Sequence, residues 1–132
     1  MAFGTATVLT NLGKAVTTTR VKNGSLGTTE PNYVGVGVGA TAAARTAAIG
    51  DTALSSAVES RVAGASTQQT TTTTNDTYQV VGTVTVTAAR NVDEAGLFDA
   101  STGGNMYLSA TFPVVALATG DSIQTTLKVQ YS

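Results

Sequence analysis

In the second half of the chain, apolar and polar residues alternate with a period of two, the pattern of strands with one buried face. Tyr78, Val80, Gly82, Val84 and Val86 share one side against Gln79, Thr83, Thr85 and Thr87, with Val81 the exception. Met106, Leu108, Ala110 and Phe112 alternate with Tyr107, Ser109 and Thr111. Pro113 has no amide hydrogen to donate and is predicted to end that ladder. Ile123, Thr125, Leu127, Val129 and Tyr131 share a face opposite Ser122, Gln124, Thr126, Lys128 and Gln130. Between these runs, residues 91–98 predict a shorter strand, and the turn formers DASTGG at 99–104 predict a loop leading to Met106. Turn signals every 8 to 15 residues or so suit two antiparallel layers.

The first half is less regular. Asn11 could cap a short helix through Leu12, Ala15 and Val16 with Gly24 beyond its end, yet the β-branched run Thr17, Thr18, Thr19 suits a strand equally. Tyr33, Val34, Val36 and Val38 alternate with Gly35, Gly37 and Gly39, a strand bare on one face against which something packs closely. Ala, Leu and Ser at loosely helical spacing predict short helical turns near residues 51–61. Thr70 to Thr74 are all threonine, which favours an extended chain without fixing its register. The expected fold is all-β: an antiparallel β-sandwich or jelly-roll-like barrel with one or two short helical turns in the first half. It forms a single domain over residues 1–132, with residues 1–25 as a candidate N-terminal arm. Its expected core is Val80, Val84, Val86, Leu108, Phe112, Ile123, Leu127 and Val129.

Composition narrows the chemistry. Of 132 residues, 26 are Thr and 14 are Gly, and only 11% are charged, where a soluble domain averages roughly 25%. The chain has no His, Cys or Trp, which excludes imidazole-based triads, thiol nucleophiles, disulfides and Cys or His metal sites. The net charge is -1 and the seven cations are scattered, so neither nucleic acid nor an anionic membrane is an expected partner. No apolar run reaches the roughly 18 residues of a membrane span. The first residues carry no secretion signal, so synthesis in the cytoplasm is expected.

Several local patterns have a chemical reading and a plainer one. GVGVGA at 35–40 formally fits G-x-G-x-x-A, but a dinucleotide site needs a βαβ unit and an acid ending a second parallel strand, whereas this chain reads antiparallel. Asp93, Glu94 and Asp99 could converge with a turn carbonyl on Ca²⁺; a solvated strand end and turn is the preferred reading, and no cofactor or metal is expected. Two carboxylates could also hydrolyse a glycoside, but three Phe, four Tyr and no Trp leave few platforms for sugars.

Three stretches carry a resemblance: TEPNYVGVGVGATAAARTAAIGDTAL at 29–54, QQTTTTTNDTYQVVGTVTV at 68–86 and EAGLFDASTGGNMYLSATF at 94–112. Together with the final amphipathic strand they resemble a group of small virion proteins of tailed bacteriophages, in which EAGLF forms a turn; related wording occurs in tail-collar and tail-fibre proteins. The resemblance implies a non-enzymatic virion component and transfers no catalytic residue. The leading expectation is a capsid decoration or cement protein that binds the major capsid protein or other virion proteins as a homo-oligomer. A tail or fibre adaptor is the alternative, and a carbohydrate-binding module is the remote one. The expected assembly interface is Gln68, Gln69, Thr70, Thr71, Thr72, Thr73 and Thr74, whose small side chains and unpaired backbone would accept a neighbouring strand. Residues 1–22 share that expectation.

Overall fold

A computed structural model describes residues 7–23 and 29–131. The elements run β1 (Thr7–Leu9), α1 (Asn11–Asn23), β2 (Tyr33–Val38), β3 (Val62–Ala63), β4 (Ala65–Gln69), β5 (Thr77–Thr85), β6 (Arg90–Phe98), β7 (Met106–Leu117) and β8 (Ser122–Gln130). They build two antiparallel sheets, one in the order β1-β7-β6-β2-β3 and the other β4-β5-β8. The sheets pack face to face as a β-sandwich and do not close into a barrel.

The alternating strands bury the faces their patterns select. Val80 and Val84 of β5, Leu108, Ala110 and Phe112 of β7, and Ile123 and Leu127 of β8 share one core with Val34 and Val36 of β2 and Val92, Ala95 and Leu97 of β6. Val86 is buried and Val129 packs against the core half-buried, while Thr83, Thr85, Gln124 and Lys128 face solvent. Each such aliphatic side chain contributes about 1.5–3 kcal/mol on burial. The layers come close at Gly82, where an added Cβ would stand 2.7 Å from Val34 Cγ2.

Five expectations are corrected. First, residues 91–98 belong to a nine-residue strand, β6, in the middle of its sheet, and not to a short strand. Residues 39–61 cover its outer face, so both faces are buried and alternation disappears, as in sheets covered on both sides. EAGLF is therefore a central strand, not a turn. Second, Pro113 does not end β7, which continues to Leu117; it lies where the β6 register shifts between Val92 and Glu94, a bulge that needs no amide from it.

Third, Leu97 pairs with Leu108 but Phe98 with Met106, so Tyr107 is an extra residue. The bulge turns Tyr107 into the core and places Met106 beside Phe98 and Gly96 on the opposite face. Fourth, residues 51–61 are not helical: Val38 N donates to Ser56 O and Val58 N to Val36 O, an irregular rung beside β2.

Fifth, helix forms instead over residues 11–23, and the described part of the candidate arm packs into the fold. Thr10 rather than Asn11 caps it, its Oγ1 accepting from Gly13 N at 2.9 Å. The strand-favouring threonines fit because Thr17 Oγ1 and Thr18 Oγ1 return their hydrogens to the carbonyls of Gly13 and Lys14, at 3.1 and 3.0 Å. Val16 reaches the core, and Gly13 lies so close to the Tyr107 carbonyl that a Cβ has no room. Residues 1–6, 24 and 25 of the candidate arm lie outside the described residues.

Two substitutions test this packing by urea unfolding. Phe112→Ala is expected to cost about 3–5 kcal/mol by leaving a cavity. Gly82→Ala, ordinarily neutral or helpful in a strand, is expected to cost about 1–3 kcal/mol because the added methyl meets Val34.

Candidate functional site

The acidic residues define what the molecule can do chemically. Glu94 is fully buried on the outer face of β6. Its Oε2 accepts from Arg45 Nη1 at 2.8 Å and its Oε1 from Ser56 N at 3.1 Å. Gly37 of β2 provides the space, because a Cβ there would stand 2.9 Å from Glu94 Cγ; this is the close packing expected on the bare face. Arg45 Nη2 reaches Asp51 Oδ2 at 2.7 Å, and the same oxygen accepts from Ser109 Oγ at 2.6 Å and Ala48 N at 2.9 Å. A serine bonded to an aspartate forms two parts of a hydrolytic triad, but the imidazole between them has no counterpart in a chain without His.

Asp93, Glu94 and Asp99 are not the solvated strand end and turn expected of them; all three are at most 5% exposed. They do not converge either. Asp93 accepts from Ala40 N and Thr41 N at 3.1 and 2.7 Å, and Asp99 from Asn105 Nδ2 at 2.9 Å and from Asn105 N. Among the described residues no three acids are grouped to hold a metal ion.

The expected assembly residues divide into two kinds. Gln68 and Gln69 end β4, an edge strand paired only with β5, and both are exposed. Thr70, Thr71, Thr72, Thr73 and Thr74 are not extended; they form the loop from β4 to β5. Asp76 shapes it: its carboxylate accepts from Thr71 N at 2.9 Å and from Thr72 N and Thr73 N, both at 3.0 Å. Those amides, led by that of Thr73, hold the Asp76 carboxyl well below the usual aspartate range. Three backbone donors that a neighbouring strand would need are thus occupied.

A feature without any signal in the sequence lies beside this loop. Helix α1 covers one end of the sandwich incompletely, leaving a cleft of about 560 Å³. Val16, Thr17, Arg20 and Val21 line it from the helix, and Glu30, Gln68, Asn75, Tyr78, Tyr107 and Tyr131 line it from the sandwich. The tyrosine hydroxyls are engaged internally. Tyr78 OH donates to Pro31 O at 2.9 Å, and Tyr107 OH bonds to Thr17 Oγ1 at 2.9 Å and to Tyr131 OH. Burial raises the Tyr78 and Tyr107 phenols above their ordinary value, with Glu30 adding to the effect at Tyr78. In contrast, Arg20 Nε is shut from solvent without a hydrogen-bond partner among the described residues. The sequence could not place these residues together, since they come from positions 16 to 131.

No protein-family model matches the chain, and no curated protein or solved structure matches it significantly. The class that fold and geometry define is therefore a charge-poor β-sandwich whose acids hold its own loops.

Two measurements follow. Arg45→Met leaves Glu94 buried without its cation and is expected to cost about 3–5 kcal/mol in denaturant unfolding. Asp76 has a depressed folded value, so its contribution to stability is present above the ordinary aspartate value of 3.8 and is lost as pH falls through the folded one. An NMR titration is expected to find Asp76 still ionised at about pH 3, and Asp76→Asn to speed amide exchange at Thr71, Thr72 and Thr73.

Proposed function

We propose that this chain is a non-enzymatic structural protein of a tailed-phage virion, and within that class a capsid decoration or cement protein that binds the major capsid protein. The observation that carries the reading is the allocation of its acids. Seven of the eight carboxylates accept a backbone amide of the same chain: Asp51, Glu59, Asp76, Asp93, Glu94, Asp99 and Asp121. The eighth, Glu30, accepts from Tyr78 OH. General acid and base catalysis needs groups within reach of a substrate's proton, and these groups are held by the fold.

The resemblance of residues 29–54, 68–86 and 94–112 to phage virion proteins supports the same reading. A shell presents many identical sites, so weak contacts by each copy sum through multivalency. The exposed faces suit such contacts: Thr and Ser lose less rotamer entropy on docking than long charged side chains do. Assembly as a homo-oligomer on the virion, after synthesis in the host cytoplasm, belongs to this proposal, as does docking through Gln68, Gln69 and the adjoining Thr loop. A tail or fibre adaptor is the second reading, favoured by the EAGLF wording.

Electron cryomicroscopy of intact virions tests it. Density for this sandwich at every repeat of the icosahedral lattice is the expected result; density confined to the tail selects the adaptor, and its absence from virions rejects both. Replacing any single Asp or Glu is expected to leave the biological role qualitatively intact apart from assembly defects, and a hydrolytic turnover abolished by one such change would overturn the non-enzymatic reading.

A further inference from the structure

The two sheets end in four edge strands, β1, β3, β4 and β8, and three of these are blunted. Among the described residues β1 has three and β3 two, too few to seat another strand, and β8 carries the exposed Lys128. Short length and an edge lysine are usual devices for keeping sheets apart. β4 has neither. Its five residues, Ala65–Gln69, lie within a run, 62–75, that contains no charge and no proline. It pairs with β5 alone, so the backbone groups on its far side have no partner among the described residues. All of its residues but Ser66 are exposed.

What adds to this edge is decided by what the edge displays. It offers a foreign sequence no charge to read, and an unstructured peptide would lose backbone entropy on becoming a strand. A second copy brings the same strand already extended and equal in length, which avoids that loss. The strand is also complementary to itself. Laid antiparallel about a two-fold axis at Thr67, Thr67 meets Thr67, Ala65 meets Gln69 and Ser66 meets Gln68, so a small side chain faces each long one and hydroxyls meet at the axis. Charge does not oppose the pairing. Lys128 is level with Thr67 by way of Gln79, and it would stand about 24 Å from its counterpart, five strand spacings away. Salt screens exposed charges beyond about 10 Å. Asp76 is engaged by the loop amides and Glu30 by Tyr78 OH.

We propose that β4 pairs antiparallel with β4 of a second copy about an axis at Thr67, joining two three-stranded sheets into one of six strands. The Thr loop, whose amides Asp76 occupies, stays outside the pairing. A contact of five residues is small, so it is weak in dilute solution and gains when copies are held side by side. The pairing gives the homo-oligomer of the virion reading a specific contact, but it is a property of the chain alone and does not depend on that reading.

The chain has no cysteine, so single introduced thiols report the register directly. Facing Cα atoms of antiparallel strands stand about 4.5–5.5 Å apart, within the reach of a disulfide. Full-length Thr67→Cys is therefore expected to oxidise to a dimer at least about tenfold faster than Thr83→Cys, a control at an exposed position of β5. Two Gln69→Cys thiols would lie about 14 Å apart. That variant is expected to oxidise no faster than the control by itself and to cross-link when mixed with Ala65→Cys. In the unmodified protein, the NMR amide signals of Ser66, Thr67 and Gln68 are expected to shift on dilution from about 1 mM to about 10 µM. Thr67→Lys sets like charges opposite each other at the axis and is expected to abolish these shifts with the urea midpoint unchanged. Equal oxidation of Thr67→Cys and Thr83→Cys, a Gln69→Cys dimer as fast as that of Thr67→Cys, no dilution shift at β4, or shifts that persist in Thr67→Lys overturn the pairing. If the protein is nevertheless found on virions, the pairing alone has failed; if the copies pair but virions lack the protein, the virion reading alone has failed.

Discussion

Glu94 has no contact with solvent, and its pairing with Arg45 and the Ser56 amide holds residues 39–61 against the five-stranded sheet. Much depends on that attachment. The covering segment is rich in Ala, Thr and Gly and has few large apolar side chains with which to adhere. Burial at about 25 cal/mol per Å² yields little from such residues. Charge-assisted hydrogen bonds to backbone amides supply the adhesion in another form, and they also satisfy loop donors that the cover would otherwise bury unpaired. Asp93 at Ala40 and Thr41, Asp51 at Ala48 and Asp76 at the Thr loop repeat the device.

This arrangement explains how so few charges suffice. Ion pairs alone would be a weak source of stability at an exposed surface, but a carboxylate that closes a loop constrains several residues at once. The outer face of the three-stranded sheet then carries little charge beyond Lys128. Thr85 bonds to Ser122 at 2.7 Å across β5 and β8, and Gln124 reaches Thr83 at 3.4 Å, so short polar side chains pair along the strands. A face of this kind has no strong field to steer or repel a neighbour. Its contacts would be short-ranged and dependent on shape.

What could be read beforehand follows from which strands have one wet face. β5 and β8 alternate cleanly because water lies on one side of them, and Val80, Val84, Ile123 and Leu127 were identifiable for that reason. β6 is covered on both sides, so its pattern shows neither alternation nor an uninterrupted apolar run: Asp93 and Glu94 interrupt it as buried acids whose partners lie up to 53 residues away. The same distance concealed their role, since a carboxylate next to a turn signal looks solvated until Ala40, Arg45 and Ser56 are brought to it. Tyr107 and Met106 exchanged faces through one extra residue, which a period of two cannot register. For α1 the Asn11 cap signal and the β-branched threonines left helix and strand evenly matched, and only its Thr10 cap and its seat on Tyr107 decide the matter.

The same economy isolates one group. In a chain where seven acids serve loops and three arginines have internal acceptors, pairing within the fold is the rule for side chains with full charge below the surface. Lys14, Lys22 and Lys128 are exposed, where water solvates them. Arg20 fits neither group: its Nε is closed to water and has no acceptor among the described residues. The β4 edge and the Thr loop, the segments whose composition already suggested contact with a neighbour, differ in the same respect: the edge strand has β5 on one side only, while Asp76 occupies three amides of the loop.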